Sequence, residues 1–315
     1  MLRNALVGIL VGAVGLVVAC GSETEPSEFG ASSGSSGDGG LTGVFEQDSG
    51  PEPPAVECRK MDIVFVIDNS QSMTEEQQNL GKNFPEFVRV MNEYKTAKGE
   101  SLDYRVAITS TDDQGNNKWD RGRFTKSYGP VPGLSCDPGP NNNPWLVRED
   151  GDISTFFSCR AQLGTSGANI ERPLEAARLA LTERIADGAN TMNEESFLRE
   201  DALLALVIIT DEDEGGHDGD PNVKPAPLHE MAYYRTAFSD VKAGISGRWA
   251  AAVIAGDKEC DSALGQVGEA RRLKQFVSGA RNGVFSDICQ GDLTNGLKDA
   301  LDLFTRACKA FPGVK

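Results

Sequence analysis

The stretch Asp62-Ile63-Val64-Phe65-Val66-Ile67-Asp68-Asn69-Ser70-Gln71-Ser72 decides the reading of this chain. After Asp62 it is β-branched and aromatic with no polar break, which predicts a strand buried on both faces. The run stops at Asp68, and a carboxylate and two hydroxyls then fall at alternate positions, Asp68, Ser70 and Ser72. All three are hard oxygen donors. A Mg²⁺-like ion takes such donors, commonly with only one or two carboxylates and several retained waters. Thr74-Glu75-Glu76-Gln77-Gln78 opens a helix that carries Phe84, Phe87, Val88 and Met91 at helical spacing. A polar turn between a buried strand and a helix is where open α/β sheets bind ligands, outside the carboxyl ends of their strands.

Outward from this stretch, Leu102–Ser110 reads as a second strand, Gln114–Asn117 as a turn, and Gly122–Lys126 as a short antiparallel edge strand. Residues 127–163 form a long insertion without periodicity, in which Trp145, Phe156 and Phe157 are expected to make a small core of their own. A helix follows with Leu174, Ala177, Leu181 and Ile185 on one face. Ala202–Thr210 is a second wholly apolar strand, and it too ends in a carboxylate, Asp211. Helix over 228–243, strand over 249–256, helix over 270–280, a short strand at Val284-Phe285 and a last helix with Leu293, Leu297, Leu301 and Phe304 complete the alternation. The fold class expected is α/β: a doubly wound, mostly parallel sheet with one antiparallel edge strand and helices on both faces.

Two buried strands that each end in Asp, the first running into Asp-x-Ser-x-Ser, resemble the von Willebrand factor type A domain and its metal-ion-dependent adhesion site. The resemblance covers about Glu57 to Ala310. It implies a Rossmann-like fold in which Ser70, Ser72 and a threonine contact Mg²⁺ or Mn²⁺, with Ca²⁺ a further candidate, while Asp68 and Asp211 act directly or through water. The family's third hydroxyl lies close before a helix. Here Ala168 stands where a simple alignment puts it, and Thr165 or Ser166 is left to serve, Thr165 being favoured; if neither reaches the ion, the site is weaker or recruits another oxygen, such as that of Glu171. The resemblance also implies an open coordination position that accepts a carboxylate from a partner protein, and therefore adhesion or assembly rather than catalysis.

The N-terminus reads as a bacterial lipoprotein leader: Arg3, an apolar run from Ala5 to Val18, then Leu16-Val17-Val18-Ala19-Cys20-Gly21. Cleavage before Cys20 would leave a lipidated cysteine. Residues 1–19 are thus a signal peptide and the membrane is met only through the anchor, with the outer membrane of the cell envelope as the expected address. Residues 20–56, rich in Ser, Gly, Glu and Pro, read as a disordered tether of roughly 30 to 35 Å reach, and 57–310 as the domain. Of seven cysteines, six remain after Cys20. In an exported chain six suggest three disulfides whose pairing the sequence leaves open. Cys136 and Cys159 bracket the insertion, and Cys260 and Cys289 lie in two late loops. In type A domains the termini meet and several are closed by a bridge, which implies Cys58 with Cys308.

A net charge of −16 without a basic cluster argues against nucleic acid as a partner. The acidic run from Asp211 to Asp220 does not fit a calcium loop, because Asn222 holds the twelfth position, and it reads as solvated. His217 and His229 read as surface residues, and no hydrolase elbow, phosphate loop or zinc-protease motif is present. A metal-dependent enzyme, or a structural envelope lipoprotein with a vestigial metal site, are the alternatives.

Overall fold

The computed structural model describes residues 53–113, 121–126, 143–168, 170–216 and 227–314. The chain divides into Met1–Gln47 and Asp48–Lys315, and every described residue lies in the second unit. The leader, Cys20, most of the tether, Cys136, and His217 with Asp218 and Asp220 lie outside the described residues.

Six strands form the central sheet: β1 (Lys60–Ile67), β2 (Asp103–Ser110), β3 (Leu146–Val147), β4 (Ala202–Ile209), β5 (Trp249–Ala255) and β6 (Gly283–Asp287). Their order across the sheet is β6-β5-β4-β1-β2-β3. All pairings are parallel except β2 with β3. This is the expected doubly wound architecture. Strand alternation divides the core in two. Ile63, Phe65 and Ile67 of β1 point to one side with Val207 and Ile209 of β4, and Val64 and Val66 point to the other with Leu206 and Ile208. Helices α1 (Thr74–Glu93), α2 (Ile153–Arg160) and α7 (Thr294–Lys309) cover the first face. The second is covered by α3 (Pro173–Leu181), α5 (Met231–Asp240) and α6 (Arg271–Ser278), with a short α4 (Glu183–Ala186) between.

Pro85 lies inside α1 and cannot donate to the carbonyl of Gly81. That carbonyl is taken instead by the Ser158 hydroxyl of α2 at 2.9 Å. The proline is tolerated because a neighbouring helix completes the ladder.

The structure differs from the sequence reading at three places. The antiparallel edge strand is Leu146–Val147, not 122–126. Residues 122–126 do run beside β2, but the only ladder-type bond is Thr125 N–H to Ile108 O at 2.8 Å, too little for a strand. Among the described residues of the insertion, the aromatic side chains join the two main cores rather than making one of their own. Phe157 packs on Phe65 and Phe84 in the first face, while Trp145 packs on Phe197 in the second, beneath the Arg105 guanidinium. Successive strand residues point to opposite faces, so Leu146 and Val147 feed the first and second cores, and Trp145, just before the strand, joins Val147 in the second. Finally, Ala55–Val56, assigned to the tether, pairs antiparallel with Phe311–Pro312. Just inside that pair the Cys58–Cys308 bridge closes the domain, with Cα atoms 4.9 Å apart. Cys260–Cys289 is also formed, and Cys159 is disulfide-bonded.

Candidate metal centre

The site lies where the strand order reverses. The chain leaves β1 towards α1 on one face and leaves β4 towards α5 on the other, so a crevice opens at the carboxyl ends of the two central strands. The parallel ladder extends one step past both strands, with Asp68 N–H donating to Ile209 O at 3.0 Å. This fixes Asp68 on the floor of the crevice, wholly buried. Its Oδ1 accepts from the Ser70 N–H at 2.7 Å, which bends the chain so that the Ser70 and Ser72 hydroxyls come within 3.1 Å of each other. Its Oδ2 accepts from the Thr210 hydroxyl at 2.6 Å.

Asp211 follows Thr210 and is nearly as buried, and its Oδ1 has no hydrogen-bond partner. Its backbone is held by Gly268 N–H donating to Asp211 O at 2.8 Å. Gly268 follows a small hairpin, Cys260–Ser262 with Gly265–Val267, that the Cys260–Cys289 bridge staples down. Burial, and then the Asp211 carboxylate, push the Asp68 carboxyl up to about 8. Burial also raises Asp211, against the Ser72 hydroxyl and Asp68, which pull it down. Two facing carboxyls that cannot both ionise comfortably, beside two hydroxyls, call for a proton or a cation between them.

The residues present fit a hard divalent ion. Asp68, Ser70, Ser72 and Asp211 converge at one crevice, all offer oxygen, and one buried carboxylate oxygen stands free. Among the described residues no three His, Cys, Asp or Glu side chains group as a metal-holding cluster. An ion here therefore depends on the serine hydroxyls and on water for much of its shell, which suits the small ions that dehydrate reluctantly.

Thr165 is placed differently from the other four. It is half-buried and makes no hydrogen bond to Asp68, Ser70, Ser72 or Asp211 among the described residues. Its loop is nevertheless tied to the site. Gln77 of α1 donates from Nε2 to Asp68 O at 2.9 Å and to Gly164 O at 3.0 Å, and its Oε1 accepts from Gly164 N–H at 3.2 Å. Gly167 N–H donates to Asn69 O at 2.8 Å, so close that a Cβ on Gly167 would sit 2.6 Å from Asn69 Oδ1. Gly167→Ala must therefore push this loop off the Asp68–Ser72 turn. The expected result is a lower melting temperature, by roughly 2 to 8 °C for a cost of about 1 to 2 kcal/mol, together with weaker metal binding. Unchanged melting and metal binding would show that the contact is unimportant.

Sequence reasoning missed several residues. In the sequence Thr210 shows only as a strand end, though its register opposite Asp68 follows from the two strands ending in step. Glu76 looks like an ordinary helix-start acid in the sequence, yet it is wholly buried with neither carboxylate oxygen partnered. Burial pushes it up to about 8, with Asp211, Glu75 and Asp68 adding to the effect. The acidic loop is the clearest correction. Asp211, Asp213 and Glu214 are buried rather than solvated. Asp213 accepts from Arg272 N–H at 2.9 Å and Leu273 N–H at 3.0 Å and caps α6. Glu214 accepts from Leu174 N–H at 2.8 Å and caps α3. These acids are spent on helix amino ends, where unpaired N–H groups and the helix dipole favour them. His229 is exposed, as expected.

No protein-family model matches the chain, and no curated protein matches it. Among solved structures it is similar to proximal thread matrix protein 1 from the mussel byssus, at 15% identity and a TM-score of 0.40 over 81% of this chain and 48% of that one. A second structure of that protein, described as having a zinc-occupied MIDAS motif, gives 12%, 0.38, 81% and 50%. The pilus adhesin SpaC from Lactobacillus rhamnosus GG gives 8%, 0.39, 82% and 31%. The chain spans half or less of the length of these proteins. At such scores the likeness says nothing of the site. No described helix is long and apolar enough to cross a membrane.

Proposed function

We propose that this protein is a lipid-anchored, extracytoplasmic module of the von Willebrand factor type A kind that holds a divalent cation and presents it to a partner protein. The observation that carries this reading is the Asp68–Asp211 carboxyl pair, buried at the strand-order switch beside the Ser70 and Ser72 hydroxyls, with Asp211 Oδ1 unpartnered. Asp68, Ser70, Ser72 and Asp211 would hold Mg²⁺ or Mn²⁺. Because few carboxylates meet the ion, it stays electrophilic and can take an acidic side chain of the partner in its open position. That is binding chemistry. The role proposed for the pair is to hold an ion for a partner, not to catalyse a reaction. Disulfides support an oxidising compartment. The Leu16–Gly21 lipobox supports lipidation of Cys20 at the bacterial envelope.

Thermal melting of the purified protein with excess Mg²⁺ or Mn²⁺, beside Asp68→Ala, tests it. A ligand at a hundredfold its dissociation constant adds about 2.7 kcal/mol, or roughly 5 to 10 °C for a domain of this size. The parent is expected to shift and Asp68→Ala is not. No shift in the parent at high millimolar metal would leave a vestigial site.

A further inference from the structure

We infer that the Glu171 carboxyl, rather than the Thr165 hydroxyl, is the third-loop group of the cation site, serving the ion's water shell through its free Oε1. The inference rests on the metal reading above and turns Glu171 from the fallback oxygen of the sequence reading into the group that serves the site, with a role through water.

Strand register places it. Ile67 pairs with Ser110 on one side and Ile209 on the other. One step on, Asp68 stands between Thr111 and Thr210, on neighbouring strands about 4.8 Å apart. The two threonines flank it alike but serve different acids. Thr210 donates its hydroxyl to Asp68, and Thr111 donates its hydroxyl to Glu171 Oε2. The Glu171 carboxylate is thereby held beside Asp68, fully buried, with Oε1 left without a partner.

The backbone around Glu171 is pinned by the segments that follow β2 and β4. Arg172 N–H donates to Thr111 O at 3.2 Å, and Gly215 N–H donates to Glu171 O at 2.7 Å. A glutamine could accept from Thr111 equally well. A carboxylate here, buried beside another acid and half unsatisfied, is a cost to the metal-free fold. That cost has a use only if a cation or its water occupies the crevice. Because among the described residues no third carboxylate groups closely enough with Asp68 and Asp211 to share direct ligation, the contact is assigned to water. Such outer groups typically change metal affinity 10- to 100-fold. A third negative charge also favours a trivalent ion over a divalent one.

The test titrates the full protein with Mn²⁺ alone and with Tb³⁺ alone, followed by calorimetry and by terbium luminescence, in the parent, Glu171→Gln, Thr165→Ala and Asp68→Ala. Asp68→Ala should bind neither ion, and Thr165→Ala should stay within about 2-fold of the parent. Glu171→Gln should lose about 10-fold or more for Mn²⁺ and more still for Tb³⁺, while its metal-free melting temperature equals or exceeds the parent's. Parent-like binding by Glu171→Gln, with loss in Thr165→Ala, would overturn the inference and leave the metal reading intact. A metal-free Glu171→Gln protein that melts well below the parent would also overturn it, by assigning the residue to holding the loop. A parent that binds neither ion would remove the metal reading itself.

Discussion

Replacing Cys58 and Cys308 together by serine is expected to lower the melting temperature by about 10 to 20 °C. The bridge spans a sequence separation of 250, so it closes nearly the whole domain into one loop. In the chain-entropy model a loop of that length is worth about 5 kcal/mol, an upper figure because the denatured chain keeps some structure. A domain of this size loses roughly 2 to 4 °C per kcal/mol. The native state also depends on the bridge locally. Cys58 N–H donates to Cys308 O at 2.8 Å, and the flanking pair of Ala55–Val56 with Phe311–Pro312 contains only two residues on each side. A ladder that short does not persist unaided. Calorimetry of the double variant against the parent, both metal-free, measures the effect. The Cys260–Cys289 variant is the control. Its separation is only 29, so its effect should be smaller, although it should loosen the hairpin beside Asp211. Equal losses from the two bridges would refute the loop-length argument.

Much of this was legible in the sequence, and the reason lies in how each feature is encoded. β1, β4 and β5 are continuous apolar runs because both faces of the sheet are covered, and no other arrangement buries such runs so simply. Asp68 and Asp211 stand out because each ends one of those runs. Ser70 and Ser72 follow from the alternation of the turn. Features fixed by long-range register rather than by local pattern did not show. Thr111 and Thr210 become partners of the site only because three strands end in step. Asp213 and Glu214 look like solvated acids in the sequence, since nothing local says that the amino ends of α3 and α6 are aimed at them. The small core expected in the 127–163 insertion fails, over its described residues 143–163, for a similar reason. Its apolar residues are too few to form a core alone, and they are shared between two cores already present.

The second large effect is on pH dependence. Without metal, the melting temperature is expected to fall by roughly 10 to 20 °C between about pH 5 and pH 9. Burial raises the carboxyls of Asp68, Glu76 and Glu214 to about 8 each, and Glu171 to about 10. Ordinary values are 3.8 for Asp and 4.5 for Glu. A carboxyl that holds its proton more tightly folded than unfolded contributes stability that is fully present below its unfolded value. That stability is lost as pH rises through the folded value. One pKa unit corresponds to about 1.4 kcal/mol, so a few such groups suffice even when their effects overlap. A bound cation should reverse the trend, because it replaces the protons on Asp68 and Asp211 and makes their ionised forms the favoured ones. The stabilisation by Mg²⁺ is therefore expected to grow from pH 6 to pH 8.5. Glu214→Gln separates the two contributions. Glu214 caps α3 away from the carboxyl pair, so removing its charge should flatten the metal-free pH slope while leaving the Mg²⁺-induced shift at each pH unchanged. A metal-free melting temperature that stays level across this range would mean that the buried carboxyls are already compensated by something other than protons. The argument for an ion between Asp68 and Asp211 would then lose its electrostatic basis.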